Sequence, residues 1–595
     1  MRTVFLHGEV EQYERARSAL AERFAEWSDG RPACGLVEFL LDDKLSADGL
    51  LARWTEDDLR RFLVRSAPRR LLLAEGWAAV PEFLAAWISF LDDTGLLTSD
   101  RPVRALLAAV ERASPAYLAA MADPAEWGAD KFWSVVLHEH GVDADDEDAV
   151  ETFFETLESG EVDVDESLAE TVEERDTAEA AGEPAFWLPP RHVEEVPLDV
   201  PARLRELHTR LASEQRRFDL DEVAGLLEVD RFEAGLLVEW ARQAGLVRVV
   251  GERLTPTHIS AAVLAEPELL WTRLWQTFVL LDEYFGGEPG LLPEGGELFG
   301  ELVQAALCGL YSSTGAVALE HLVGAISDDV LDPVEESRDR SEALRRTLVR
   351  MFDQWAALGV VRTGVTTDAE QIAAIESAVP AGVTAERTVV QLTKPGLFAA
   401  RGSLQAFGFV APTVEDMAQY PVEVLVLALP ESPPEVAEVL VSDWLGRLGA
   451  RGGAQELAAL LRRADDPAVR LAALWLLEQT GEEGVAVARD LADDPVAGPA
   501  VRMWLQARPS SDEVVARPGD ELLLELDGMA VAVAGDAGRF LAEFQQRPTA
   551  DQIALIDRIP ETAHVGVPAL LSVIAEEHPD ESVAGAARRG LEKVG

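Results

Sequence analysis

Cysteine is nearly absent: Cys34 and Cys308 are the only two in 595 residues. They lack CxxC spacing, so the sequence predicts neither a disulfide framework nor a zinc site, and a reducing cytoplasm is the expected compartment. Bases are scarce too, 52 Lys and Arg against 107 Asp and Glu, for a formal net charge of −55. A chain this acidic is repelled by phosphate backbones and anionic lipid. That disfavours nucleic acid and membranes and suits a protein partner, a basic one most readily. Long apolar runs are missing as well. The most apolar stretch, Leu71 to Leu91, is interrupted by Glu75, Pro81 and Glu82, and reads as buried helices. The N-terminus has no basic segment followed by an apolar run, so no signal peptide is expected.

Catalytic and cofactor motifs are also lacking. Neither GxxxxGK(S/T) nor GxGxxG occurs, so nucleotide binding has no motif support. His138 and His140 flank Glu139, but residues two apart on a helix point about 200° apart and cannot share one ion. The acids from Asp143 to Asp148 fail as an EF-hand loop, with no Gly at the sixth position and Phe154 at the twelfth. Tyr311 to Gly315 has no Gly two residues before either Ser, so it is no nucleophile elbow. Cys308 with His321 could form a nucleophile and base, yet a Cys in an apolar helix reads as a small core residue. The expectation is no catalytic residue, no cofactor and no metal.

What the chain does have is helix-forming material. Ala, Leu, Glu and Arg dominate, β-branched runs are short, and 48% of residues are apolar. The expected fold class is mainly α: a multi-domain helical protein with small winged-helix β-hairpins and C-terminal helical repeats. Pro81 opens one helix with Phe83, Leu84, Trp87, Ile88 and Leu91 on a buried face, and Gly95 ends it. Thr55 is a candidate N-cap ahead of Glu56 and Asp57. Residues 1–158 read as one helical domain. Its Met121-Ala122-Asp123-Pro124, Trp127-Gly128 and Gly141-Val142-Asp143 resemble an uncharacterised all-helical domain of high-GC bacteria, which implies a fold and no activity. From Glu139 to Glu183 there are 19 acids and one base, Arg175, so residues 159–197 read as an acidic linker, either a solvated spacer or a tether for a basic partner.

The most informative stretch is Asp219 to Thr257. Asp219 caps a first helix, Glu228-Val229-Asp230 turns, and Asp230 caps a second helix that Gly245 stops. Leu246 to Val250, a tight turn at Gly251-Glu252-Arg253 and a return strand from Leu254 follow. This resembles the winged-helix family, over residues 198–262. That fold serves DNA, RNA and protein contacts, so it assigns no function. A DNA reader would present Asp230 to Gly235 to the groove. There two carboxylates would face phosphate, with Glu252 a third acid on the wing. Arg231, Arg248 and Arg253 are the candidate nucleic-acid contacts under that alternative. Residues 263–412 read as helical with a second, degenerate copy. Trp355-Ala356 and Gly359-Val360-Val361-Arg362 stand beside Trp240-Ala241 and Gly245-Leu246-Val247-Arg248. Trp271 and Trp275, four apart, read as core.

Residues 413–595 read as helical segments between Asp-Asp-Pro or Gly turns. Val469, Ala472, Ala473 and Leu477 find a counterpart in Val583, Ala586, Ala587 and Leu591, and the pattern resembles HEAT-like repeats. Asp527-Gly528 between alternating runs predicts a β-hairpin over 521–535. The function expected is non-enzymatic binding of a partner protein through repeat and winged-helix surfaces. The alternatives are a DNA-binding transcriptional regulator and an enzyme whose site leaves no motif.

Overall fold

The computed structural model describes residues 2–6, 10–28, 34–71, 77–143, 146–158, 162, 164, 168–169, 172, 185–213, 216–217, 219–251, 253–286, 290–331, 338–378, 387–430, 432–508, 514–562 and 564–594. The chain is mainly α-helical, and its described strands form two small three-stranded sheets. Contacts sort it into two compact units. The first is Met1–Phe186 with Asp416–Glu431 and Glu438–Gly595; the second is Trp187–Glu415 with Ser432–Ala437. The N-terminal helices and most of the C-terminal ones therefore share one unit.

In the N-terminal part of the first unit, Thr55 accepts the Asp58 amide while Asp58 accepts that of Thr55. This capping box starts the Glu56–Arg61 helix. Val80–Asp93 buries Leu84, Trp87, Ile88 and Leu91, and Gly95 follows with φ of 67°, as the apolar spacing predicts. Phe24 packs on Trp87 and Phe90, each with ring centres 5.4 Å apart. A smaller core around Phe132, Val136 and Phe153 also takes in Ala169 and Val172, with Leu168 against it. The acidic stretch is thus not a solvated spacer where it is described at these positions. Leu168, Ala169 and Val172 fall at helical spacing within the charge run. The rest of 173–184 lies outside the described residues, as does Glu252.

In the C-terminal part, the β-hairpin expected over 521–535 is instead the helix Asp520–Gly535. Leu522, Leu526 and Met529 follow a helical period into the core. Asp520 and Asp527, two turns apart, are buried on it and held by arginines. Arg502 binds Asp520 through two nitrogens, each at 2.7 Å. Arg470 binds Asp527 at 2.5 and 3.1 Å. Asp527 therefore serves as a buried anion rather than a turn residue. Both arginines also cap the end of a preceding helix, through the Ala464 and Ala492 carbonyls. Each stands fourth in a Pro-Ala-Val-Arg run, at Pro467 and Pro499.

The second unit carries one chain path twice. Ala202–Ser213, β1 (Arg216–Arg217), Leu220–Leu227, Arg231–Gln243, β2 (Val247–Val250) and β3 (Arg253–Pro256) give a sheet in the order β1-β3-β2. Phe299–Ser312, β4 (Val317–Ala318), Leu319–Val330, Arg338–Ala357, β5 (Val361–Val365) and β6 (Thr388–Leu392) give β4-β6-β5. The upstream helix pair that the sequence left indistinct in the second copy is present. The copies match in detail. Gly245 and Gly359 both adopt positive φ, 74° and 75°. The Thr257 hydroxyl donates to the Gly245 carbonyl, and that of Thr393 to Gly359 O at 2.6 Å. Counted from those glycines, Trp355 matches Ala241, not Trp240: Val360 N bonds Trp355 O as Leu246 N bonds Ala241 O. The two tryptophans are offset by one residue.

One core joins the copies. Phe278 touches Trp240 at 5.6 Å and Trp355 at 6.0 Å between ring centres. Trp271 and Trp275 are buried in it, as their spacing suggests. Their indole N–H groups donate to Leu358 O and Ser403 Oγ, each at 2.9 Å. Residues Trp187 to Arg191 add an edge to this unit, with Leu188 N donating to Val410 O at 2.9 Å.

Candidate functional site

The first unit contains a groove of about 670 Å³. Its floor is the second half of Asp520–Gly535, with Ala530, Val533 and Ala534. Val565, Pro568, Ala569 and Leu591 line it as well. Val565 is 48% exposed, and Ala534, Pro568 and Ala569 are exposed beside it. Small side chains keep this surface open: a Cβ on Gly566 would stand 2.5 Å from that of Ala530.

A buried ion network ties the floor helix to its neighbours. Beneath it, Asp527 accepts from Arg470 and from His564 Nε2, the latter at 2.9 Å. Gly566 N donates to His564 Nδ1 at 3.1 Å, which places the imidazole proton on Nε2, toward Asp527. Burial is the largest influence on the Asp527 carboxyl and pushes its pKa up. Hydrogen bonds from His564 and Arg470 together outweigh it and hold the group below the usual carboxylate range. A buried carboxylate with three donors fixes the rotamers around it. On the rim, Arg2 and Asp466 bond each other at 2.7 Å, and Asp466 also caps Pro467–Gln479 through the Ala468 amide. The groove thus combines apolar lining with a polar margin that includes the Arg2–Asp466 pair, Gln12 and Arg15, which suits an apolar side chain flanked by polar contacts.

In the second unit, Arg231 opens the Arg231–Gln243 helix, and Arg248 and Arg253 stand on β2 and β3. Arg231 is exposed and bonds Asp221 at 2.6 Å. Behind it, Ala234 to Val238 are all buried. Five successive buried residues exceed one helical turn, so the helix is enclosed on every side there. Tyr284 stands against Gly235, where a Cβ would meet its ring at 2.8 Å, and the Arg350 guanidinium lies 4.5 Å over the Phe232 ring. The middle of this helix is thus packed into the unit, while its start, at Asp230 and Arg231, is exposed. Arg248 and Arg253 lie on the ribbon instead, both exposed.

The remaining polar candidates are scattered. The His140 ring contacts Val136 O at 2.8 Å and packs against Phe153. Cys308 packs against the core of the second unit, while His321 is exposed on the next helix. The residues that sequence reasoning missed are Arg470, Asp527 and His564. The repeated Pro-Ala-Val-Arg was the available signal for the arginines; nothing local marks Asp527 or His564 as their partners. Among the described residues, no helix is long and apolar enough to cross a membrane. Comparison with protein-family models, curated proteins and solved structures finds no match.

Proposed function

We propose that this protein is a non-enzymatic scaffold that binds a partner protein. The observation that carries the reading is the open apolar groove on a floor held by the Arg470–Asp527–His564 network. A preorganised apolar groove binds an amphipathic helix or side-chain anchor with little ordering cost. The C-terminal helices are taken as HEAT-like repeats that present it. The two copies in the second unit are taken as winged-helix modules used for protein contact. Their shared core and the burial of Ala234 to Val238 support that use over a DNA-binding regulator. The same reading places the protein in a reducing cytoplasm, in keeping with two widely separated cysteines.

The test is affinity capture from a native lysate with full-length protein, with Ala534→Glu and Val565→Glu as groove variants. A stoichiometric partner retained by the wild type and lost from both variants is the expected result. A wild-type chain that captures nothing contradicts the proposal.

A further inference from the structure

The ribbon of the first module runs against the charge of the chain. The ten residues of β1, β2 and β3 include Arg216, Arg217, Arg248 and Arg253 and no acid, and the turn between β2 and β3 adds one acid in sequence, Glu252. The chain as a whole has 107 acids for 52 bases. Among the described residues, neither the Arg248 nor the Arg253 side chain forms a hydrogen bond or ion pair. Register puts Arg248 opposite Thr255 and Val250 opposite Arg253, so Arg248, Val250 and Arg253 share the outer face. Val249 points the other way, opposite the buried Leu254. Yet Val249 and Val250 are 44% and 53% exposed.

β2 is also an edge strand. Thr257 N donates to Leu246 O at 3.0 Å, and counting along the ladder from that bonded pair, antiparallel alternation directs the backbone N–H and C=O of Val249 at the open edge. β2 carries no proline and no acid, and its one charge, Arg248, repels a basic strand while favouring an acidic one. An extended segment pairing there would set alternate side chains beside Arg248 and Val249.

We propose that this edge takes an acidic, extended peptide segment whose sequence alternates carboxylate and apolar residues. The added strand pairs with the Val249 backbone. Its carboxylates meet Arg248 and Arg253 on the outer face, and its apolar residues cover Val249. Duplex DNA fits less well, because Asp221, Glu222, Asp230 and Glu233 lie on the adjoining helices and repel a large polyanion. The proposal rests on the protein-binding reading above and names the partner chemistry at a second surface.

Full-length protein is titrated by fluorescence anisotropy with a labelled octapeptide alternating Glu and Val. Matched Lys–Val and Glu–Ser octapeptides and a DNA duplex serve as controls. The expected result is binding of the Glu–Val peptide alone, weakened by raised salt. R248E combined with R253E reduces it by at least about tenfold. Val249→Pro abolishes it while leaving the circular-dichroism melt unchanged, because that N–H lies outside the ladder. Failure of the wild type to bind, equal binding of the Glu–Ser peptide, retention by the double variant, or preference for duplex would each overturn the inference. Lysate capture separates the two ideas. Partner lost with Ala534→Glu but kept with R248E/R253E, alongside no peptide binding, sinks only the strand-addition inference. Peptide binding with no captured partner sinks only the groove.

Discussion

Acid should loosen the Trp187–Glu415 unit through one side chain. His208 is fully buried in the Ala202–Ser213 helix, 6.4 Å from the Trp240 ring, and among the described residues neither ring nitrogen has a hydrogen-bond partner. Burial pushes its pKa down from 6.5 to about 4. The native state therefore resists a proton that the unfolded chain accepts. Stability present at neutral pH is lost as pH falls from about 6.5 toward 4. At 1.36 kcal/mol per unit, the loss is about 2 kcal/mol by pH 5 and about 3 kcal/mol by pH 4. His208→Leu keeps the packing volume and removes the titration. Urea unfolding followed by Trp fluorescence, from pH 7 to pH 5, should show the variant gaining about 2 kcal/mol on the wild type. Parallel curves for the two proteins would refute the assignment, since every other acid-titrating group is common to both.

Other outcomes follow from the same geometry. Asp527→Ala strands Arg470 and His564 in the core, and should cost about 3–5 kcal/mol in urea unfolding. A loss below about 1 kcal/mol would mean the network is not what holds the floor. Gly396→Ala sets a Cβ 1.8 Å from the Val360 carbonyl, against backbone that cannot yield, and should cost about 3 kcal/mol or more. Thr393→Ala removes the cap on Lys394–Ala406 and should cost about 1 kcal/mol; equal losses for the two would contradict the close approach at Gly396. Arg231→Ala breaks only an exposed pair with Asp221, so urea stability should hold within about 0.5 kcal/mol and affinity for duplex should not change.

Much of the fold was legible in local signals, and the misreadings share one cause. The capped helix pair at Asp219 and Asp230, the Gly245 stop and the Trp271–Trp275 core spacing all stand where short-range chemistry puts them. The second copy was harder to read. Leu319–Val330 is entered from β4 without a side-chain cap, and the Ala369–Ala378 helix interrupts its ribbon. At Asp527-Gly528 the local turn signal was overridden by Arg470, 57 residues away, and His564, 37 away, distances at which no turn rule operates. The acidic run hid Leu168, Ala169 and Val172 because composition averages over the few positions that pack. For the site, Arg231 was visible as a charge, but its pairing with Asp221 and the packing of Tyr284 on Gly235 and of Arg350 on Phe232 are tertiary facts. The groove assembles residues from across several hundred positions of sequence and had no local signature at all.

The central claim is that the 530–534 and 565–570 surface is where a partner protein sits. Hydrogen–deuterium exchange on the full chain, free and with its captured partner, tests this directly. The account predicts slowed exchange at the exposed end of Asp520–Gly535 and across the turn from Val565 into Val567–Glu577, with the Arg231–Gln243 helix unchanged. A bound partner that leaves those groove amides untouched would contradict it.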